Sequence, residues 1–220
     1  HLDFARNSFE LCPTNTAYLV YSKDMKQIYF IRHAESKQNV DKEYQGENTL
    51  TDRGYEQTKI LTERLKEIPV DLVIVTSKKR SQQTTEIINS SLNAPLKESD
   101  LFTEKEEAFE RMPVGGERTE CFRHLCIRAK EAISFLEKLS EKKIVVVTHG
   151  RFLKFLTVYI ILKENLTEET AVLFMLHTGT GNTGITMFKY DSEKTHWRLI
   201  TWNDHGHLGR IDLDLSIPSR

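Results

Sequence analysis

The chain has 220 residues, with 31 Lys plus Arg against 32 Asp plus Glu, so its formal net charge is −1. This length suits one domain with a sizeable core, and the balanced charge argues against a surface for nucleic acid while still allowing a local basic pocket. The longest apolar run, at residues 152–162, is interrupted by Lys154 and is too short to cross a bilayer. We therefore expect no nucleic-acid partner and no membrane association.

The three cysteines are sparse and odd in number, and no CxxC or Cys/His spacing typical of a metal site occurs. We predict reduced thiols, no metal, no cofactor and a cytoplasmic location. Residues 1–24 lack the apolar segment of a signal peptide, and Met25 resembles a natural chain start. We expect an N-terminal extension of uncertain origin at residues 1–24 and a single domain over residues 25–220.

Hydrophobic periodicity predicts alternating strands and helices. The strands are continuous Val/Ile-rich runs, which is typical of strands buried on both faces. In chain order we predict a strand at 27–32, a helix at 51–66 with Thr51 as its N-cap, a strand at 70–76, helices at 81–89 and 119–139, a strand at 143–148, a helix at 151–163, and strands at 184–190 and 196–202. Residues 94–117 are predicted to be irregular. This order favours an α/β fold, a three-layer α/β/α sandwich with a mostly parallel central sheet.

Three of the predicted buried strands are followed by polar residues. Arg32 and His33 end the first, Arg80 lies shortly after the second, and His149 ends the third. Ligands of open parallel sheets bind beyond the carboxyl ends of the strands, so these side chains would meet in one crevice if the strands are neighbours. Each residue alone is more often a solvated surface group. Their coincidence at three strand ends favours a site.

Two guanidinium groups and two imidazoles suit phosphoryl chemistry. Guanidinium groups match phosphate oxygens, and a neutral imidazole can attack phosphorus when its other nitrogen is anchored. A second imidazole can stabilise charge on a non-bridging oxygen, and an acid must protonate the departing alkoxide. The residues therefore indicate phosphoryl transfer through a phosphohistidine.

These residues and their neighbours resemble the histidine phosphatase superfamily, which includes the cofactor-dependent phosphoglycerate mutases. The matching stretches follow one another in family order over residues 26–208. They are "RHAESKQN" (32–39), "LTDRGYEQ" (50–57), "TSKKRSQQT" (76–84), "VGGE" (114–117), "VVVTHG" (145–150), "GNTGIT" (181–186) and "WNDHGHL" (202–208). Ala34 stands where the family usually has Gly, and Ser81 where it has Ala.

The resemblance implies roles for the strand-end residues. His33 would be the phosphorylated nucleophile. Arg32, Arg80 and His149 would hold the phosphoryl group, with His149 also acting in catalysis.

Three further polar residues are expected to bind substrate. Asn39 falls where the family has a phosphate-contacting Asn, and Ser36 would lie near the site. Asn182 would face the pocket from the return strand.

The general acid implied by the resemblance is a Glu in an L-x-E setting after the helix that carries Arg80. Here the spacing from Leu101 to Glu104 is one residue longer. We select Glu104, with Glu106 and Glu107 behind it as alternatives. A solvated acidic loop is the competing interpretation.

The resemblance leaves the reaction open between a phosphatase and a mutase. The family's mutases carry a longer insertion before the second His strand, with a YG-x-L-x-G-x-N-K stretch that is missing here, where Arg80 and His149 are 69 positions apart. A shorter segment would leave the phosphohistidine more open to water, which favours a phosphoric monoester hydrolase. A catalytically silent phosphate-binding or scaffold relative is the other alternative.

The expected partner is a small phosphorylated substrate, with a phosphoprotein as the alternative. No readable motif in residues 94–117 or 163–182 selects one. "GTGNTG" (179–184) matches a dinucleotide fingerprint in letters but precedes a predicted strand, where that fingerprint needs a helix. His205 and His207, with Asp204, are interpreted as a polar loop.

Overall fold

The computed structural model describes residues 25–104 and 118–209. Their strands form one six-stranded sheet in the order β3-β2-β4-β1-β5-β6. The strands are β1 (Met25–Arg32), β2 (Leu72–Val75), β3 (Leu96–Glu98), β4 (Lys143–Thr148), β5 (Ile185–Asp191) and β6 (His196–Asp204). The first four in the sheet order are parallel, whereas β5 and β6 run antiparallel to their neighbours. The predicted mostly parallel sheet is confirmed.

Helices connect the strands on both faces of the sheet. They are α1 (Lys37–Val40), α2 (Asp52–Leu65), α3 (Lys79–Leu92), α4 (Arg118–Lys138), α5 (Gly150–Leu162) and α6 (Glu168–His177). Within the described ranges, none of them combines the length and apolar character that a membrane span requires. The predicted N-cap is confirmed, because the Thr51 hydroxyl accepts a hydrogen bond from the backbone N–H of Gly54 at 3.0 Å.

Three of the named helices and strands were not predicted, namely α1, β3 and α6. α1 has only four residues, which is too few to carry a periodic pattern. The expectation of irregular structure at 94–117 is wrong at β3, a three-residue edge strand whose side chains are all exposed. Such a strand has no hydrophobic pattern to read. α6 is apolar on nearly all sides, so it lacks the amphipathic period that marks a surface helix. The "VGGE" stretch and residues 1–24 lie outside the described residues.

The core consists of two apolar clusters, one on each face of the sheet. Successive strand residues point to opposite faces. Phe30 and Val146 join one cluster, while Ile31 and Val147 join the other. Helices α4 and α5 pack on the first cluster, and α2 and α3 on the second. This arrangement is the predicted three-layer sandwich.

The sheet order brings the polar strand endings together. β4 lies between β2 and β1, and Arg32 is in register with Thr148. The three carboxyl ends are therefore adjacent, and the crevice predicted from the sequence is where the chain leaves these strands.

A close contact with the Glu35 backbone explains why residue 54, in the first turns of α2, is a glycine. A Cβ at Gly54 would lie 2.1 Å from the backbone oxygen of Glu35. In the same contact, the Glu35 N–H donates to Gln57 Oε1 at 3.0 Å. The "LTDRGYEQ" stretch thus fastens α2 to the segment that follows His33.

We expect Gly54→Ala to destabilise the fold. On helix propensity alone the change would stabilise it by about 1 kcal/mol. Because the new methyl group would overlap a backbone oxygen, we expect instead a loss of roughly 1–3 kcal/mol in the free energy of unfolding. Urea denaturation measures this, and Glu56→Ala, at an exposed position of the same helix, is the control. A more stable Gly54→Ala variant would show that the contact is unimportant.

Candidate active site

The two nitrogens of the buried His33 ring have different partners. Nδ1 lies 2.7 Å from the backbone oxygen of Ala34, and Nε2 lies 3.0 Å from Arg80 Nε. A guanidinium nitrogen can only donate, so Nε2 must accept and the ring proton must reside on Nδ1. His33 therefore holds a lone pair on Nε2 and an anchored N–H on Nδ1, which is the form that a nucleophilic imidazole requires.

Hydrogen bonds from two sides fix the backbone around His33. The His33 N–H donates to Thr148 O at 2.9 Å, across the junction between β1 and β4. The Ala34 N–H donates to Thr84 Oγ1 at 3.1 Å, and that hydroxyl donates to Arg80 O at 2.8 Å. Helix α3 thus holds both the loop that follows His33 and the Arg80 backbone. Ala34 is fully buried and has no positive φ, so its backbone does not require the glycine usual in the family.

His149 lies beside His33, with 5.2 Å between the ring centroids. Its Nε2 is 2.9 Å from Thr76 Oγ1, and its buried Nδ1 has no hydrogen-bond partner among the described residues. The Thr76 hydroxyl can donate to Nε2 or accept from it. In the tautomer in which the hydroxyl donates, Nδ1 carries the ring proton and is available to donate to an oxyanion.

Arg32 supplies a second donor without a partner. Its Nη1 donates to the backbone oxygen of Thr180, whereas its buried Nε has no partner within the described residues. A Cβ at Gly150 would lie 3.2 Å from this Nε, so the missing side chain leaves room for the guanidinium. Buried donors without partners are uncommon in folded proteins. Arg32 Nε and, in its protonated tautomer, His149 Nδ1 are therefore candidate donors to the oxygens of a phosphate group.

The amide of Asn182 joins the backbone at His33 to α1. Its Nδ2 donates to His33 O at 2.9 Å and to Asn39 Oδ1 at 3.0 Å. The same Asn39 oxygen accepts from the buried Ser36 hydroxyl at 3.2 Å. All three predicted residues therefore lie at the site, and the Ser36 hydroxyl contacts Asn39. Substrate contact by these residues stays a prediction.

Glu104 lies at the edge of the same pocket. Its Oε1 is 3.7 Å from Arg151 Nε, and its side chain is 13% exposed. Its negative charge also acts on Arg32, where it raises the pKa against the larger lowering effect of burial. The structure thus places Glu104, the predicted acid, near Arg32 and Arg151. The alternatives Glu106 and Glu107 lie outside the described residues.

Both imidazoles are held in the neutral form. Burial lowers the pKa of His33 well below its usual 6.5, and the charges of His149, Arg80 and Arg32 lower it further. Burial, followed by the charge of Arg80, likewise lowers the pKa of His149 well below 6.5. The neutral state agrees with a His33 lone pair that is available at neutral pH.

The "WNDHGHL" stretch contacts the loop at residues 181–183, which lies next to His33 and Arg32. The sequence did not predict these contacts. Asn203 Oδ1 accepts from the Gly181 N–H at 2.8 Å, and His207 Nε2 lies 3.0 Å from Thr183 Oγ1. Thr183 is fully buried at φ 58°, an unusual value for a β-branched residue. Its N–H donates to Arg32 O at 3.0 Å. The strained loop therefore holds the Asn182 amide against the backbone oxygen of His33.

Sequence reasoning also missed Thr76 and Thr84. A threonine inside or after a buried strand gives no functional signal, because its hydroxyl usually satisfies a local backbone group. His177 lies at the exposed end of α6. No group of three or more possible metal ligands occurs within residues 25–104 and 118–209.

An α/β sandwich with two histidines and two arginines at the carboxyl edge of its parallel strands defines a candidate phosphoryl-transfer protein. The family model described as the histidine phosphatase superfamily (branch 1) matches residues 28–113 and 101–205. The chain belongs to this superfamily, and the resemblance found in the sequence is confirmed.

The relatives include both phosphatases and mutases. The chain is 25% identical over 199 residues to an uncharacterised phosphatase, PhoE, of Bacillus subtilis, covering 84% of this chain and 97% of the relative. It is 28% identical over 151 residues to a probable phosphoglycerate mutase, GpmB, of an Enterobacter species, covering 57% and 70%. The crystal structure of a putative alpha-ribazole-5'-P phosphatase from Escherichia coli matches with a TM-score of 0.65 and 21% identity, covering 81% of this chain and 97% of that one. This structural similarity supports the fold.

We expect the stability of the protein to fall as the pH drops from 7 to 5. The two buried histidines resist protonation in the folded state, whereas their unfolded counterparts bind protons below a pH of about 6.5. The unfolded state then binds more protons, so the free energy of unfolding decreases towards acid pH. His149→Gln removes one such group, and its loss of stability over this range should be smaller than that of the wild type. Urea titrations at each pH test this, and equal losses would contradict it.

Proposed function

We propose that the protein is a metal-independent phosphatase that hydrolyses phosphomonoesters through a phosphohistidine on His33. The observation that carries the proposal is the hydrogen-bond pattern of His33, with Nδ1 anchored on Ala34 O and Nε2 accepting from Arg80. This pattern leaves one defined lone pair on Nε2, which faces the Arg80 guanidinium, and the His33 ring lies beside His149 with 5.2 Å between the ring centroids.

Substrate binding would release the nucleophile. The phosphoryl oxygens would accept from Arg32 Nε and His149 Nδ1, both of which lack other partners among the described residues. When Arg80 turns its N–H groups to the dianion, the His33 Nε2 lone pair becomes free. Charge-assisted bonds from guanidinium groups make this exchange favourable.

In the first chemical step, the Nε2 lone pair of His33 forms a bond to phosphorus while the bond to the ester oxygen breaks. The departing oxygen would take a proton from Glu104, which lies near Arg32 at the pocket edge. The His33 ring gains positive charge, and the Nδ1–H bond to Ala34 O stabilises it. His149 and the arginines would stabilise the charge on the equatorial oxygens.

In the second step, water replaces the histidine. The Glu104 carboxylate would accept a proton from the attacking water, the phosphorus–nitrogen bond would break, and its electron pair would return to Nε2. The products are orthophosphate, the neutral His33 and the protonated Glu104. The cycle therefore needs no further reactant.

Phosphoglycerate mutase-type transfer is the alternative, supported by the mutase relatives. The missing mutase stretch between Arg80 and His149 favours hydrolysis. With 3-phosphoglycerate as substrate, faster formation of 2-phosphoglycerate than of orthophosphate would overturn the preference. A catalytically silent phosphate-binding relative is the third candidate. Hydrolysis of p-nitrophenyl phosphate by the wild type would exclude it, and no hydrolysis would favour it.

We expect the protein to hydrolyse p-nitrophenyl phosphate at mildly acidic pH with a chelator present, and His33→Ala to abolish this activity. The loss follows because the His33 Nε2 lone pair is the nucleophile of the proposed mechanism. His177→Ala, at the exposed end of α6, is the control and should keep wild-type turnover. No activity in the wild type, full dependence on added metal, or full activity in His33→Ala would each contradict the proposal.

We expect Glu104→Gln to discriminate between leaving groups. p-Nitrophenolate departs without a proton, so kcat/KM for p-nitrophenyl phosphate should change little, whereas kcat/KM for an alkyl phosphate should fall roughly 10²–10⁴-fold. The kcat for both substrates should fall, because Glu104 also accepts the proton of the attacking water in the second step. Glu98→Gln, at an exposed position of β3, is the control. Equal losses of kcat/KM for both substrates would show that Glu104 is not the general acid. Glu106 and Glu107 would then be the remaining candidates.

A further inference from the structure

A second group of cations lies beside the phosphate pocket. Arg151 and Lys154 lie in the first turns of α5, and the Arg128 guanidinium of α4 stacks over the Phe152 ring at 4.3 Å. Arg151 lies 3.7 Å from Glu104, and the charge of Glu104 also acts on Arg128 and Lys154. We call Arg128, Arg151 and Lys154 the outer cation cluster.

Arg128 has a donor that its protein partners do not use. Its Nη1 donates to Thr103 O at 2.9 Å, while its Nη2 is buried and has no hydrogen-bond partner among the described residues. Burial lowers the pKa of Arg128 to about 10, which still leaves the side chain charged at neutral pH. A buried charged donor is costly to leave unsatisfied, so a ligand oxygen is the expected partner.

The positive charge of the outer cation cluster comes in addition to the charge that neutralises a phosphoryl group. A phosphomonoester carries about two negative charges near neutral pH, which Arg32 and Arg80 match. The outer cation cluster adds three positive charges, and Glu104 is a carboxylate that opposes them. Counted over these groups of the described residues, positive charge therefore remains in excess after the phosphate has bound.

The cluster lies next to Arg32 and Glu104. Arg151 follows Gly150, where an added Cβ would lie 3.2 Å from Arg32 Nε, and Arg151 Nε is 3.7 Å from Glu104 Oε1. The charge of Arg128 also lowers the pKa of His149, and the charge of Arg32 lowers the pKa of Lys154. We therefore expect a small molecule with its phosphate at the histidines to approach the cluster with another group.

We propose that the outer cation cluster binds a second oxyanion of the substrate, so that the favoured substrates carry a carboxylate or a second phosphate in addition to the ester that is cleaved. This inference rests on the proposed phosphatase function and narrows its substrate class. The competing explanation is that Arg128 only ties α4 to Thr103 and Phe152.

Matched synthetic substrates separate these explanations. Carboxyphenyl phosphates are compared with the uncharged carbamoylphenyl phosphates in all three ring positions, together with benzene bisphosphates and phenyl phosphate itself. In the wild type, we expect at least one anionic isomer to exceed its uncharged counterpart by about 10-fold or more in kcat/KM. The anion that gives the gain identifies carboxylate or phosphate as the second group.

Arg128→Met keeps an apolar chain over Phe152 and removes the charge. It should reduce the preference to within about 3-fold while leaving kcat/KM for the uncharged substrates near the wild-type value. Lys130→Met, at an exposed position of the same helix, is the control and should keep the preference.

Three results would overturn the inference. The first is that the wild type shows no preference in kcat/KM for any anionic isomer. The second is that Arg128→Met lowers kcat/KM equally for charged and uncharged substrates. The third is that Lys130→Met loses the preference as much as Arg128→Met does. A wild type that hydrolyses none of the compounds, phenyl phosphate included, would instead overturn the phosphatase function and this inference with it.

Discussion

The candidate site depends on the hydrogen bond from Arg80 Nε to His33 Nε2. This bond fixes the tautomer of the buried imidazole, because it can form only when Nε2 carries the lone pair and Nδ1 carries the proton. It also joins the carboxyl end of β1 to the start of α3, so the sheet and a helix must both be in place before the His33 ring is oriented. A misplaced α3 would lose the arginine and the Thr84 contact together.

The pocket combines segments that approach from opposite directions. The parallel strands β1 and β4 deliver His33 and His149 at their carboxyl ends, whereas the loop before the antiparallel strand β5 enters at the same edge and brings Asn182. An antiparallel neighbour is what allows the end of one strand and the beginning of another to share an edge. The strained Thr183 lies at this junction, where backbone bonds to Arg32 hold it in place.

Some of this arrangement could be predicted from the sequence because it follows from general rules. Solid Val/Ile runs predicted buried parallel strands, and polar residues at three strand ends predicted where a site would form. The N-cap Thr51 was readable because its chemistry is local. β3 is too short to carry a pattern, and α6 has no polar side. Arg128 is far along the chain from the pocket and resembles any cation on an amphipathic helix, so only tertiary packing reveals its buried nitrogen.

The two unpartnered donors, Arg32 Nε and His149 Nδ1, have a consequence for turnover under the proposed mechanism. They recognise phosphoryl oxygens and make no distinction between an ester and free orthophosphate. The product would therefore occupy the same donors as the substrate and compete with it. An enzyme built in this way would slow down where phosphate accumulates, and its rate would follow the phosphate concentration around it as well as the supply of ester.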